Sequence, residues 1–144
     1  MSETVKFKLE NPAGQRRLVN KGRVLVVDED HGDLAYYRAV LQGAGWVVST
    51  ASTCEGALEF LRSEVFDLVI VSQGSCEFEG RPVLERAVAV DRRRPVIVVA
   101  HALHMGCYLE AMRLGAADYL EEPVPEADLM RTTDDFLASS SAAA

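Results

Sequence analysis

The chain has 144 residues, 49% of them hydrophobic and 26% charged, which suits one globular domain with a single sizeable core. Its net charge of −7 divides into +4 over residues 1–23 and −11 beyond, and an acidic body argues against nucleic-acid binding by the domain itself. No apolar run reaches the ~20 residues of a membrane span, the start Met-Ser-Glu-Thr-Val-Lys lacks the apolar core of a secretion signal, and Cys54, Cys76 and Cys107 have no C-x-x-C spacing that would suggest a disulfide framework or zinc site. A cytoplasmic location with no membrane partner is the expectation.

Residues 1–22 read as an N-terminal extension, in which Val5, Phe7 and Leu9 alternate with Lys6, Lys8 and Glu10 as in a short strand before Asn11-Pro12 breaks the pattern. A continuous apolar strand is predicted over 24–27, then a helix over 32–42 stopped by Gly43-Ala44-Gly45. A second strand follows at 46–51, and Thr53 caps a helix over 54–63. Residues 68–71 form the third strand, and 82–91 a helix with proline in its tolerant first turn. The fourth strand is expected at 95–100, a helix at 105–114 ended by Gly115, a short strand at 118–120 and a last amphipathic helix at 125–137. The Ser/Ala tail, 138–144, is expected to be disordered. Arg92-Arg93-Arg94 reads as a solvated turn before the fourth strand.

Strands without an alternating polar face, separated by helices, imply a parallel sheet covered on both sides. Right-handed crossovers leave few topologies, and the flavodoxin-like, doubly wound α/β sandwich of order 2-1-3-4-5 is the one expected, with function gathered at the carboxyl ends of the strands. Those ends carry Asp28-Glu29, Ser72, Ala100-His101 and Glu121-Glu122.

Several segments are together specific for a family. Arg23-Val24-Leu25-Val26-Val27-Asp28-Glu29-Asp30, the strand Pro95-Val96-Ile97-Val98-Val99, and above all Glu110-Ala111-Met112-Arg113-Leu114-Gly115-Ala116-Ala117-Asp118-Tyr119-Leu120 resemble, in order and spacing, the receiver domain of two-component response regulators. The likeness covers residues 23–137 and implies signal transduction without an enzyme's own reaction. In that family an aspartate on the third strand takes a phosphoryl group from a histidine kinase. Two acidic residues hold Mg2+, a Thr or Ser ends the fourth strand, a lysine precedes a cis proline, and an aromatic on the fifth strand moves with activation.

Carried over position by position, the resemblance leaves the acidic pair as Asp28 and Glu29, the aromatic as Tyr119 and the proline as Pro123. The phosphoacceptor position holds Ser72, the hydroxyl position Ala100 and the lysine position Glu122. A serine brings no charge to a metal and is a poor nucleophile without an adjacent base. Glu122 puts a negative charge where a phosphate would be received, a repulsion of several kcal/mol, about 4 at 4 Å and an effective dielectric near 20. No lysine follows position 21, so no small shift of alignment restores the cation. The loop 73–79 also departs from the family's Pro-Gly turn.

The expectation is therefore an atypical, phosphorylation-independent receiver acting through protein–protein contact. Its partner would be a histidine kinase, an output protein or a second copy, met at the face of the fourth helix, fifth strand and fifth helix through Tyr108, Arg113, Tyr119, Asp128 and Arg131. No cofactor is expected, and Asp28 and Glu29 are the residues that would hold Mg2+ if the pocket keeps one. Two alternatives stay open: a conventional receiver with a substitute acceptor such as Glu77 or Asp30, and a small-molecule or metal-sensing domain on the same fold. For the latter, His31, His101, His104, Cys76, Asp28, Glu29 and Glu122 are candidate ligands near one edge. Ser72 lacks a Gly-x-Ser-x-Gly context, and no glycine-rich phosphate loop follows the first strand.

Overall fold

The computed structural model describes residues 20–143, with side chains to residue 138; the strand expected within residues 1–22 lies outside them up to residue 19. Five strands, β1 (Gly22–Val27), β2 (Trp46–Ala51), β3 (Leu68–Ser72), β4 (Val96–Ala100) and β5 (Asp118–Glu121), form one parallel sheet in the order β2-β1-β3-β4-β5. Five helices join or follow them: α1 (His31–Gly43), α2 (Cys54–Ser63), α3 (Arg81–Val90), α4 (Met105–Arg113) and α5 (Glu126–Ala143). This is the three-layer flavodoxin-like sandwich expected from the strand pattern.

Strand side chains alternate between two faces, and here both faces are apolar. Val24, Val26, Leu68, Ile70, Ile97 and Val99 pack with Leu34, Tyr37 and Leu41 of α1 and Leu129 of α5. Leu25, Val27, Val69, Val71, Val96 and Val98 pack on the opposite face with Ala57, Leu61, Leu84, Ala87, Cys107 and Ala111 of α2, α3 and α4. Each large aliphatic group so buried contributes about 1.5–3 kcal/mol.

Helix starts follow local chemistry. Asp30 caps α1 by accepting from the amides of Gly32 and Asp33, and Thr53 caps α2 by accepting from Gly56, as its position before the apolar face predicts. α4 is capped by His104, whose Nδ1 accepts from the Cys107 amide, a cap that no capping-type residue announced in the sequence. α5 runs on through 143, past the end expected at 137, because the alanines and serines after Leu137 continue rather than break it.

The arginine triplet departs from its expected reading. Arg94 is not solvated: it is 6% exposed and donates to the carbonyl oxygens of Ala87 at 2.6 Å and Phe66 at 3.5 Å. The guanidinium ties the end of α3 to the approach of β3, while Arg92 and Arg93 stay exposed. Around it, the Arg23 amide donates to Asp67 Oδ2 at 2.8 Å, the Arg23 guanidinium pairs with Glu64 and lies 5.2 Å from the Phe66 ring centroid.

Candidate functional site

Asp28 and Glu29 follow β1, and Ser72 ends β3 beside Val99 of β4. Between them lies a cleft of about 230 Å3 whose lining includes Asp28, Glu29, Thr53, Ser72, Glu79 and Gly80. Ser72 Oγ accepts from the Gly74 amide at 3.1 Å, and no base hydrogen-bonds to it among the described residues. The hydroxyl is therefore not activated as a nucleophile.

The loop after Ser72 is tightly built. Glu79 accepts from the amide and hydroxyl of Ser75, bonds that hold its carboxyl below the usual carboxylate range. Phe78, at φ 59, is a non-glycine residue in the left-handed region, held there by burial of its ring. At Gly80 a Cβ would press far inside van der Waals contact with the Ser72 carbonyl oxygen, so only glycine lets α3 start this close to β3.

A second cluster lies on the other side of Asp28. Asp28 is 3% exposed; its Oδ1 accepts from the Asp30 amide at 3.0 Å, while Oδ2 has no partner. Burial, with smaller repulsions from Asp33, Glu122 and Asp30, pushes its carboxyl up to about 6 despite the Asp30 amide. Glu122 follows β5, fixed by its amide donating to Ala100 O at 2.7 Å. Its side chain is 7% exposed, Oε2 accepts from the Tyr37 hydroxyl, and Oε1 is 3.7 Å from His101 Nδ1. Burial raises the Glu122 carboxyl, and Asp33 and Asp30 add to this against the opposing bond from Tyr37. His101 Nε2 is 2.9 Å from Asp33 Oδ2, and the imidazole is raised chiefly by Glu122. One carboxyl-rich pocket thus joins β1, α1, β5 and the loop after β4, and its chemistry favours taking up a proton or a cation.

The three histidines expected near this edge do not converge. His101 joins the cluster, His104 serves as a helix cap, and His31 is exposed on a separate groove beside Leu34, Arg38 and Thr50. Cys76 is exposed on the loop after β3, and its carbonyl accepts from Cys107 Sγ at 3.3 Å. Of the substitute acceptors, Asp30 is engaged as the α1 cap, and Glu77 is exposed and does not line the cleft.

Ala100 is fully buried and pairs with Glu121 across β4 and β5. Tyr119, expected at the surface, is instead 8% exposed. Its hydroxyl donates to Gln73 Oε1 and accepts from the His104 amide at 3.3 Å, and its ring meets Tyr108 edge-on at 5.5 Å between centroids. Small Ala100 belongs to the same packed cluster, which leaves room for the inward ring. Pro123 follows a cis peptide bond after Glu122. The charges expected on the outer face are neutralised within their own helices, Arg113 with Glu110 and Arg131 with Asp128. Beside the Arg113–Glu110 pair, α4 shows solvent an apolar stripe of Met105 at 58%, Leu109 at 59% and Met112 at 38% exposure.

Asp33, Tyr37 and Gln73 were missed as site residues. Asp33 stands three residues after the Asp30 cap on α1, a spacing that carries a signal once the helix start is fixed. The partners of Tyr37 and Gln73 lie 85 and 46 residues away, where no local pattern reports them.

Among the described residues, no helix is long and apolar enough to cross a membrane. Residues 24–134 match the model of the response regulator receiver domain. The transcriptional regulatory protein ZraR of Escherichia coli (strain K12) is 33% identical over 115 residues, covering 80% of this chain and 26% of that protein. The alginate biosynthesis transcriptional regulatory protein AlgB of Pseudomonas aeruginosa is 36% identical over 104 residues, 72% of this chain and 23% of its own. The chain thus spans about a quarter of the length of these relatives. In fold it is similar to a CheY-like receiver domain protein from Methanospirillum hungatei JF-1, with a TM-score of 0.80 and 24% identity over 85% of this chain and 98% of that one. With the sheet order, the acidic residues after β1 and the family model in agreement, the chain belongs to the response regulator receiver domain family.

Proposed function

We propose that this domain is a receiver that signals without phosphorylation, through protein–protein contact. The observation that carries this reading is the buried Glu122 carboxylate, which turns toward Asp28 and Asp33 beside Ser72's strand, where phosphoryl chemistry requires a cation and an anionic nucleophile. A phosphate arriving at Ser72 would meet carboxylates, and Ala100 offers it no hydroxyl.

The state of Tyr119 supports the same reading. Gln73 holds the tyrosine hydroxyl, so the aromatic that moves in switching receivers has its position set by a side chain of this protein. The α4 stripe of Met105, Leu109 and Met112, beside Tyr108, then supplies a constant contact surface. Its partner is a histidine kinase, an output protein or a second copy meeting the α4–β5–α5 face. Mg2+ fits the cleft poorly: Asp28 and Glu29 are there, but neutral Ser72 replaces the third anionic ligand that a hard dication favours. The domain works without a cofactor in this reading.

Amide NMR spectra of the purified domain, recorded alone, with Mg2+, and with Mg2+ plus beryllofluoride, test it. The expected result is no beryllofluoride-dependent shift at Ser72, Ala100 or Tyr119. Shifts that spread from Ser72 to Tyr119 would mean that a phosphoryl switch survives.

A further inference from the structure

We propose that Asp28, Asp33, Glu122 and His101 form a binding site for a divalent transition cation such as Mn2+ or Zn2+. The site adjoins the cleft beside Ser72 and shares Asp28 with it, but Asp33, Glu122 and His101 lie outside that cleft's lining, whereas Glu29 and Ser72 belong to it.

Geometry is the first support. One carboxylate oxygen from each of Asp28, Asp33 and Glu122 falls within 4.8 Å of the other two. Metal–oxygen and metal–nitrogen bonds of about 2.0–2.2 Å hold opposing ligand atoms roughly 4 Å apart, so small side-chain movements close the set. His101 already stands at the rim, 2.9 Å from Asp33 Oδ2 and 3.7 Å from Glu122 Oε1.

Unmet valence is the second. Asp28 Oδ2 and Glu122 Oε1 are buried and have no hydrogen-bond partner among the described residues. Their own amides are engaged elsewhere, Asp28 donating to Ala51 O and Glu122 to Ala100 O. A buried carboxylate oxygen without a donor is costly, and two facing each other are more so. A divalent cation entering the pocket would supply both oxygens with a partner that the described residues do not. Among the described ion pairs, only those of His101 reach this cluster, and that imidazole is largely exposed.

Ligand chemistry then selects the ion. Three oxygens alone would suit Mg2+ or Ca2+, but an imidazole completing the set favours Mn2+ or Zn2+. Tyr37 donates to Glu122 Oε2, which fixes the carboxylate with Oε1 turned inward, the outer support that ligating carboxylates commonly have. The four ligands come from the end of β1, from α1, from the end of β5 and from the loop after β4, so the sheet itself presets their spacing.

The test is isothermal titration of the protein with MnCl2, ZnCl2 and MgCl2, combined with Mn2+-induced broadening of amide signals. Saturable binding of Mn2+ or Zn2+ is expected, tighter than Mg2+, with broadening centred on Asp28, Asp33, His101 and Glu122. Asp33→Asn should weaken it by about tenfold or more, and Glu29→Gln by less than about twofold. Among the described residues, the Asp33 carboxylate pairs only with exposed His101, so the variant should keep the native spectrum; if it does not, His101→Ala serves as the second probe, with weaker Mn2+ or Zn2+ binding expected. No saturable binding, or binding lost in Glu29→Gln and kept in Asp33→Asn, overturns the proposal. Beryllofluoride is absent throughout, so this outcome is independent of the phosphorylation reading.

Discussion

The two edges of the sheet both bury charge, and they treat it oppositely. At the amino edge, Arg94 is sunk between α3 and β3, and its terminal nitrogens reach two carbonyl oxygens, though its Nε has no acceptor among the described residues. Nearby charges there are paired, Arg23 with Glu64 and Lys21 with Asp134 at 3.0 Å. At the carboxyl edge, Asp28 and Glu122 are also buried, and each leaves an oxygen without a donor among the described residues. The first arrangement holds the fold together. The second is tolerated by it, which is the pattern expected if the cluster binds the proposed cation.

Substitution at Arg94 should have the largest effect. Arg94→Met removes the donors of two buried carbonyl groups and should cost on the order of 3 kcal/mol in urea unfolding. A loss under about 1 kcal/mol would mean that the amino edge does not depend on this guanidinium.

At the opposite edge one substitution should stabilise. Glu122→Lys places an ammonium among Asp28 and Asp33, relieving the repulsion, with a gain on the order of 1–2 kcal/mol near neutral pH. It should also change the pH trend. In the unaltered protein Asp28 has a folded pKa of about 6 against an ordinary 3.8, so the folded state holds that proton more tightly than the unfolded chain. Stability then falls as pH rises through that window and levels above it. His101, raised by Glu122 and Asp33, adds in the same direction, because its paired, protonated form is lost as pH rises through its folded pKa; its exposure keeps this part small. Melting temperature should therefore be higher at pH 5 than at pH 7.5, and Glu122→Lys should flatten or invert that difference. A flat profile in both proteins would remove the contrast between the edges.

The smallest change expected is from Tyr119→Phe, about 1 kcal/mol for the bonds to Gln73 and His104. Amide shifts at those two residues, with the α4 signals following, would sharpen the reading of Tyr119 as an anchored residue.

The fold was legible because a parallel sheet buried on both faces writes itself as short, wholly apolar runs such as Val24–Val27, and helix ends follow from residues such as Thr53 and Gly115. The identities at the site were legible too, since Ser72, Ala100 and Glu122 fall at fixed distances from those runs. Their environment was not. Nothing local shows that Glu122 accepts from Tyr37, or that Tyr119 turns inward to Gln73. Arg94 was misread because a triplet of arginines looks solvated whichever member the chain folds over. The apolar stripe of α4 escaped attention because the helix is apolar on its inner face as well, and composition cannot divide the two.

Gly80 carries a consequence for how far this domain stands from reactivity. By letting α3 begin against the Ser72 carbonyl, it keeps the strand end and the following loop in register whatever side chain occupies position 72. The backbone mould of the cleft is thus separable from the chemistry once cast in it. On the proposed reading, a silent receiver and a switchable one differ here chiefly by side chains at positions 72, 100 and 122, together with the altered loop 73–79. That short mutational path makes the domain a ready chassis for installing a signal input by design.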